Sequence, residues 1–437
     1  MNSESNTKNG NCEEIMSQPV FVHAADLHLG APLQQLGKNL KDEAKQLLLK
    51  LAPNAVIRLI DLTIDRKAEF LVLAGDIYDK ANREPAAQLL FRRQMERLNE
   101  ENIRVYIVHG NHDPTSSDLE EYVTLPSNVK VFEPNKEEVV THQLRDGSKV
   151  LIAGISYWRF DVTENLVPRL RAVADEKTRG DARAIIGILH TNVGSDGEHA
   201  RYAPCTVSDL ADSPFDYWAL GHVHKRSVNE MGSHRYWAYP GNLQGRFFKE
   251  EGSKGALVVP ILSAGVGVPE HVPCDVFRFT HIQIDCSDFL AADLSMEIRN
   301  KCIEKIPKTD ERPLVIRIRV FGISTAVTKK LQVNNSSDAL VVELSDTLAP
   351  YLNGGGVDRI DFDVEPEIDI QALKNTDSIL SDALKTLDEE DLTSLVNDEL
   401  KKIEGTELRP DQLEQIRTRI RKDLMKDLLS DIPAPRL

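Results

Sequence analysis

Apolar residues in the first two thirds of the chain gather into short unbroken runs, each ending abruptly in polar residues. The clearest is 71–79, LVLAGDIYD, where four apolar residues lead into Gly75 and Asp76. Such a run suits a strand buried on both faces, as in a parallel sheet. The same design recurs at 20–25, 105–108, 184–189 and 218–220. Between them, helical segments are expected over 40–51, 53–66 (Pro53 in its first turn) and from Pro85 to about Asn99. A second buried sheet is expected to begin near 129–132 and 149–155. Past 261–276, rich in Gly, Pro and small residues, the pattern changes. Strands are expected at 281–284, 313–321 and around Ile360, with helices over 294–306 and 337–351. In 313–321 the buried positions alternate with Arg317 and Arg319, the period of a half-exposed strand. From 370 onward, Leu413, Ile416, Ile420, Leu424 and Leu428 form one helical stripe, and Leu392, Leu395, Val396, Leu400 and Ile403 another.

What ends the five runs matters more than the runs. They lead into Asp26 and His28, into Asp76 and Asp79, and into Asn111, His112 and Asp113. The last two lead into His190 and into His222 and His224. All would sit at the carboxyl ends of strands, where open α/β sheets build their sites, along one edge of one sheet. Carboxylate, imidazole and amide oxygen together suit Mn²⁺, Fe or Zn²⁺ better than Ca²⁺. Two such cations roughly 3.5–4 Å apart clamp a phosphate and activate a water. A ligand shared by both must be a carboxylate, and Asp76 is the natural candidate. A lone Asp at a strand end is usually a cap, and a lone His usually a packed or surface group. On that ground His23, His109, His142, His199, His234, His271 and His281 carry no assignment.

The blocks DLH, GDIYD, GNHD, His190 and GHVH, in this order over Asp26 to His224, resemble the calcineurin-like metallophosphoesterase superfamily. The wording HAADLHLG, HGNHDP, HTNV and YPGNLQGRFFKEEGSKG is most similar to its SbcD and YhaO type DNA-repair exonucleases. The resemblance implies an α/β fold: a two-layer β-sandwich flanked by helices, with a small α+β capping domain and a helical C-terminal extension. The corresponding segments are a leader over 1–18, a nuclease domain over 19–272, a cap over 275–368 and a partner-docking region over 370–437. By the same resemblance Asp26, His28, Asp76 and His224 hold one metal, and Asp76, Asn111, His190 and His222 the other, with Mn²⁺ expected. His112 becomes the general acid, oriented by Asp79 or Asp113. The implied activity is two-metal hydrolysis of phosphodiester bonds at DNA ends, duplex or single-stranded, in repair or defence. The implied partners are a second copy of the chain and a Rad50/SbcC-like SMC ATPase docked on the C-terminal helices. Rival readings are a phosphoesterase for nucleotides, cyclic nucleotides or phosphoproteins, and a non-enzymatic module with structural metals.

Composition adjusts this picture. The formal charge of −16 over 437 residues is unlike that of a nucleic-acid enzyme, so a basic groove would have to come from the metals or a partner. Five cysteines without CxxC spacing suit a reducing cytoplasm, and no apolar run suggests a membrane span. The stretch 236–255 interleaves aromatic, Gly and cationic residues. It is expected to be a hairpin closing the second sheet, turning at Tyr239-Pro240-Gly241-Asn242, with Arg246 a modest substrate contact.

Overall fold

The computed structural model describes residues 18–31, 40, 51–79, 84–115, 123–194, 202–286, 294–307, 312–323 and 336–364. All but a few of these lie in one compact unit, Met1–Phe321 with Lys330–Asp363. Residues 1–17, the loop 33–37, most of the helix expected over 40–51, the loop around His199 and the stripes beyond 370 lie outside the described residues.

The apolar runs are strands. Val20–Ala24 (β1), Phe70–Ala74 (β2), Arg104–Val108 (β3) and Val129–Val131 (β4) lie side by side and parallel. Glu138–Gln143 (β5), Lys149–Gly154 (β6), Ile185–His190 (β7), Tyr217–Gly221 (β8), Ser227–Gly232 (β9) and Arg235–Tyr239 (β10) form a second sheet in the order β5-β6-β7-β8-β10-β9. The chain then returns to the first sheet through Gly255–Pro260 (β11), antiparallel to β1, and Glu270–Pro273 (β12) at its edge. Each sheet has six strands.

Three sequence expectations need correction. The five ligand-bearing strands belong to two sheets, three to the first and two to the second. The segment 129–132 contributes β4 to the first sheet, and the second sheet starts at β5. The stretch 236–255 is no hairpin. Strand β10 already has β8 on one side and β9 on the other, so no edge remains for β11 to pair with. The chain crosses instead, and Asn242 bridges Ala25 at the end of β1 on the way.

The two sheets pack face to face. Phe21, Phe70, Val72 and Tyr106 from the first meet Ile152, Ile186, Tyr217 and Ala219 from the second in a dry interior. Because successive residues of a strand point to opposite faces, the neighbours Val22, Leu71 and Leu73 face outward. They are covered by the helices Leu51–Asp65 and Pro85–Glu100. The short helices Val167–Val173 and Val207–Ala211 cover the second sheet in the same way. The order helix, sheet, sheet, helix leaves the carboxyl ends of β1, β2, β3, β7 and β8 along one shared edge.

A three-stranded sheet follows: Arg278–Asp285 (β13), Leu314–Ile323 (β14) and Gly356–Val364 (β15), in that order. Parallel β13 and β14 need a crossover, and the helix Leu294–Lys305 lies between them in the chain. Asp275, fully buried, fixes the start of this sheet. Its carboxylate accepts from Arg278 Nε at 2.6 Å and pairs with Arg312 Nε at 2.9 Å. Its carbonyl accepts from Arg58 of the helix Leu51–Asp65 at 2.5 Å.

Candidate metal centre

Each side chain singled out by the strand endings arrives from its own loop, and the backbone is strained to deliver several of them. Asp26, His28 and Asp76 adopt left-handed conformations, with φ of 52°, 46° and 53°, and His222 has φ of 101°. Non-glycine residues take such angles at a cost of order 1–3 kcal/mol each, and they cluster at functional sites. Hydrogen bonds hold the loops in place. The β1 and β2 loops are stitched by Asp26 N–H to Gly75 O (3.1 Å) and His28 N–H to Asp76 O (3.0 Å). The Asp26 carboxylate accepts the His222 N–H at 3.1 Å, tying in the second sheet.

Asp76 lies at the centre. Its Oδ2 is 3.4 Å from His190 Nε2 on one side and 3.9 Å from His28 Nε2 on the other. Around the first flank, Asn111 Oδ1 stands 3.0 Å from His190 Nε2 and 3.2 Å from His222 Nδ1. Around the second, His28 Nε2 and His224 Nε2 face each other at 3.1 Å, with Asp26 Oδ1 3.8 Å from His224. Ligand atoms of Asp26, His28 and His224 all lie within 4.8 Å of one another, as do those of Asp26, Asp76 and His190. The six other expected ligands therefore converge as two groups on either side of Asp76.

Burial and mutual interaction of carboxylates and imidazoles set the electrostatics of the cluster. Burial pushes Asp26 up to about 6, against the pull of His224 and His190. Burial also opposes ionisation of Asp76, but His190, then His28 and His112, hold it below the usual carboxylate range. His190 is moved the other way. Burial works against its charge, yet Asp76 raises it to about 9. Burial lowers His28 well below an ordinary imidazole. Two buried carboxylates this close cannot both ionise without compensating charge. Divalent cations would supply it, and the mixed N/O donor set suits them.

Glycines make room for this convergence. A Cβ on Gly110 would fall 2.3 Å from Asp76 Oδ1 and 2.7 Å from His190 Nε2. At Gly221 a Cβ would fall 1.8 Å from the carbonyl oxygen of Ala74, the atom that accepts from His190 Nδ1 at 2.9 Å. That oxygen is backbone and cannot swing aside. Gly221→Ala is therefore expected to destabilise the fold by about 3 kcal/mol, the upper range for overpacking, read as a lower urea midpoint.

His112 stands at the rim, its side chain 37% exposed. Its Nδ1 hydrogen-bonds Asp79 Oδ1 at 2.9 Å, which raises its pKa above the ordinary imidazole value despite partial burial. Its backbone N–H donates to Asp76 Oδ1 at 2.9 Å. Of the two carboxylates offered as its orienting group, Asp79 is the one so placed. Asp113 is turned elsewhere. It is fully buried and accepts from the backbone of Gly110 (2.8 Å) and Ile77 (2.7 Å). It clamps the β2 and β3 loops together, and it also pairs with His109 at 3.1 Å. His23 packs in the interior with Nδ1 3.0 Å from the Tyr217 hydroxyl, and burial lowers it to about 3.

One residue escaped the sequence reading. Glu250 is buried in the segment between β10 and β11 and accepts from His224 Nδ1 at 2.6 Å. It also accepts from Asn242 Nδ2 at 2.9 Å and from the Arg246 N–H at 2.8 Å. Burial would raise its pKa, but His224 holds it down as a carboxylate. It thus fixes the His224 ring with Nε2 toward the cluster. Phe248, packed with Phe277 and with Phe279 of β13, anchors the segment that carries it. The aromatic content of 236–255 is accordingly mostly structural. Glu250→Gln is expected to keep the fold and to weaken Mn²⁺ binding by about 10–100-fold, the usual cost of losing a group behind a metal-bound imidazole, measured by calorimetry.

Residues 19–226 match the calcineurin-like phosphoesterase family, and the chain carries a calcineurin-like metallophosphoesterase domain. That family uses a dimetal centre. Among its relatives, the "Uncharacterized metallophosphoesterase YhaO" of Bacillus subtilis is 35% identical over 253 residues, covering 58% of this chain and 60% of that protein. The "DNA double-strand break repair protein Mre11" of Methanocaldococcus jannaschii is 25% identical over 310 residues, covering 68% of this chain and 75% of its own. The protein of the same name from Archaeoglobus fulgidus is 26% identical over 252 residues, covering 54% and 52%. The match thus spans less than two thirds of the first of these relatives.

Proposed function

We propose that this protein is a metal-dependent phosphodiesterase acting on DNA ends. The observation that supports it most is the convergence of six candidate ligand side chains around Asp76 with His112, backed by Asp79, beside them. Asp26, His28, Asp76 and His224 would hold one cation, and Asp76, Asn111, His190 and His222 the second, with Mn²⁺ the expected metal. Bound there, such cations supply Lewis-acid charge for the phosphoryl oxygens and lower the pKa of a coordinated water. His112 donates its Nε2 proton to the departing sugar oxygen while Nδ1 stays on Asp79. Glu250 keeps the His224 ring in register, and Asp113 keeps the two acidic loops at fixed spacing.

The DNA assignment rests on the wording around the motifs and on relatives named for double-strand break repair. In this reading the third sheet and its helices act as a cap that sorts DNA forms. The segment beyond 370 docks a Rad50/SbcC-like SMC ATPase, and the enzyme works as a homodimer in a reducing cytoplasm. The charge of −16 favours one rival, a phosphoesterase for nucleotides or other small phosphate esters, which needs no basic groove. An assay on linear and circular duplex DNA, with Mn²⁺ or EDTA and with bis-p-nitrophenyl phosphate in parallel, separates them. Mn²⁺-dependent shortening of linear DNA is expected. Hydrolysis of the small diester with linear DNA left intact, even with the ATPase added, would favour the rival.

A further inference from the structure

Beside the metal centre opens a cavity of about 620 Å³, with His28 at one side and Arg246 at another. Its size falls in the range of small-molecule sites. Leu29 and Leu90 give it apolar walls, and Arg93 and Glu84 stand with Arg246 among its polar lining. Apart from His28, none of these residues belongs to the ligand set, so the cavity is an added feature of the fold.

Arg246 is poised there without a firm partner for its guanidinium among the described residues. The group lies 3.9 Å from Asp79 Oδ2 and 3.9 Å from Glu250 Oε1, too far for a hydrogen bond to either. Its Nε is buried with no hydrogen-bond acceptor among the described residues. A buried donor left unmet is costly, and an acceptor arriving in the cavity would relieve that cost. Phe247, the next residue, is 39% exposed and has the Arg246 guanidinium 5.3 Å from its ring centre. Asp79 is also the partner of His112. Arg246 therefore lies on the side of the centre where the leaving oxygen would depart.

We propose that this cavity receives the nucleoside on the leaving-group side, with Arg246 hydrogen-bonded to a phosphate oxygen and the base or sugar against Leu29 and Leu90. The proposal deepens the phosphodiesterase reading and rests on it for the direction of departure. It makes Arg246 a phosphate-positioning residue and the apolar walls the source of specificity. A guanidinium fork over apolar walls recognises a nucleotide, whereas a phosphate lacking a nucleoside leaves the walls empty.

The test is binding, so that it does not depend on turnover. Thymidine 5′-monophosphate, thymidine 3′-monophosphate and inorganic phosphate are titrated into the full-length Mn²⁺-loaded protein by calorimetry. At least one nucleotide is expected to bind tenfold or more tighter than phosphate. Arg246→Gln should weaken nucleotide and phosphate alike, by about tenfold. Ala86→Trp should cut the nucleotide's advantage to threefold or less, because Ala86 lines the cavity from an exposed position and a large ring there fills it without disturbing the interior. Equal affinity for nucleotide and phosphate in the parent protein would overturn the proposal. So would an advantage that survives Ala86→Trp, or phosphate and nucleotide binding that Arg246→Gln leaves unchanged. Oligonucleotide cleavage, measured on the same samples, separates the two readings. Nucleotide preference without DNA cleavage would sink the DNA-end assignment and leave the cavity's role standing.

Discussion

Asp76→Asn is expected to reduce phosphodiester hydrolysis by at least ~10³-fold and to leave the chain folded. One carboxylate oxygen of Asp76 lies between His190 at 3.4 Å and His28 at 3.9 Å, so it faces both ligand groups. The other accepts the backbone N–H of His112 at 2.9 Å. Asn keeps that acceptor oxygen and keeps the shape. It also tolerates the left-handed φ of 53° that this position demands. What it removes is the negative charge and the second anionic oxygen that two cations would share. Losing one preorganised electrostatic contact commonly costs 10²–10³ in rate, and this change affects both metal positions. Ala is a poorer choice, since it would add backbone strain of about 1–2 kcal/mol at the same angle. Activity within tenfold of the parent, with an unchanged urea midpoint, would exclude Asp76 as the shared ligand.

His112→Ala is expected to behave differently: full metal content with turnover down about 10²–10⁴-fold, the range for removing a positioned acid. His112 approaches the cluster through its backbone N–H and its ring is tied to Asp79, so its loss leaves both ligand groups complete. The loss should appear in kcat for substrates with poor leaving groups, such as a dinucleotide. It should shrink for bis-p-nitrophenyl phosphate, whose departing nitrophenolate needs little protonation. An equal loss on both substrates would point to a structural part for His112. Loss of bound metal would make it a ligand.

The site was more legible in the sequence than the scaffold that assembles it. Each strand ending is a local signal: a buried run, then a residue type that buried strands do not end in by accident. That carried Asp26, His28, Asp76, Asn111, His190, His222 and His224 to one place. Sheet membership is not local. Nothing in 129–132 distinguishes a strand that follows β3 from one that starts a new sheet, because hydrogen-bond partners far along the chain decide it. The same holds for 239–255. No turn forms at Tyr239-Pro240-Gly241-Asn242; the occupied edges of β10 send the chain on to β1. Glu250 lay hidden for a related reason. It sits 26 residues past His224, in a segment without periodicity, and only the fold of that segment onto Phe277 and Phe279 brings the two together.

Everything proposed for this centre requires a pair of cations held by one aspartate, and anomalous diffraction from Mn²⁺-soaked crystals reads that directly. Two manganese peaks per chain are predicted, about 3.5–4 Å apart, with Asp76 bridging them, Asp26, His28 and His224 around one, and Asn111, His190 and His222 around the other. A single peak, or peaks whose ligands exclude Asp76, would contradict it.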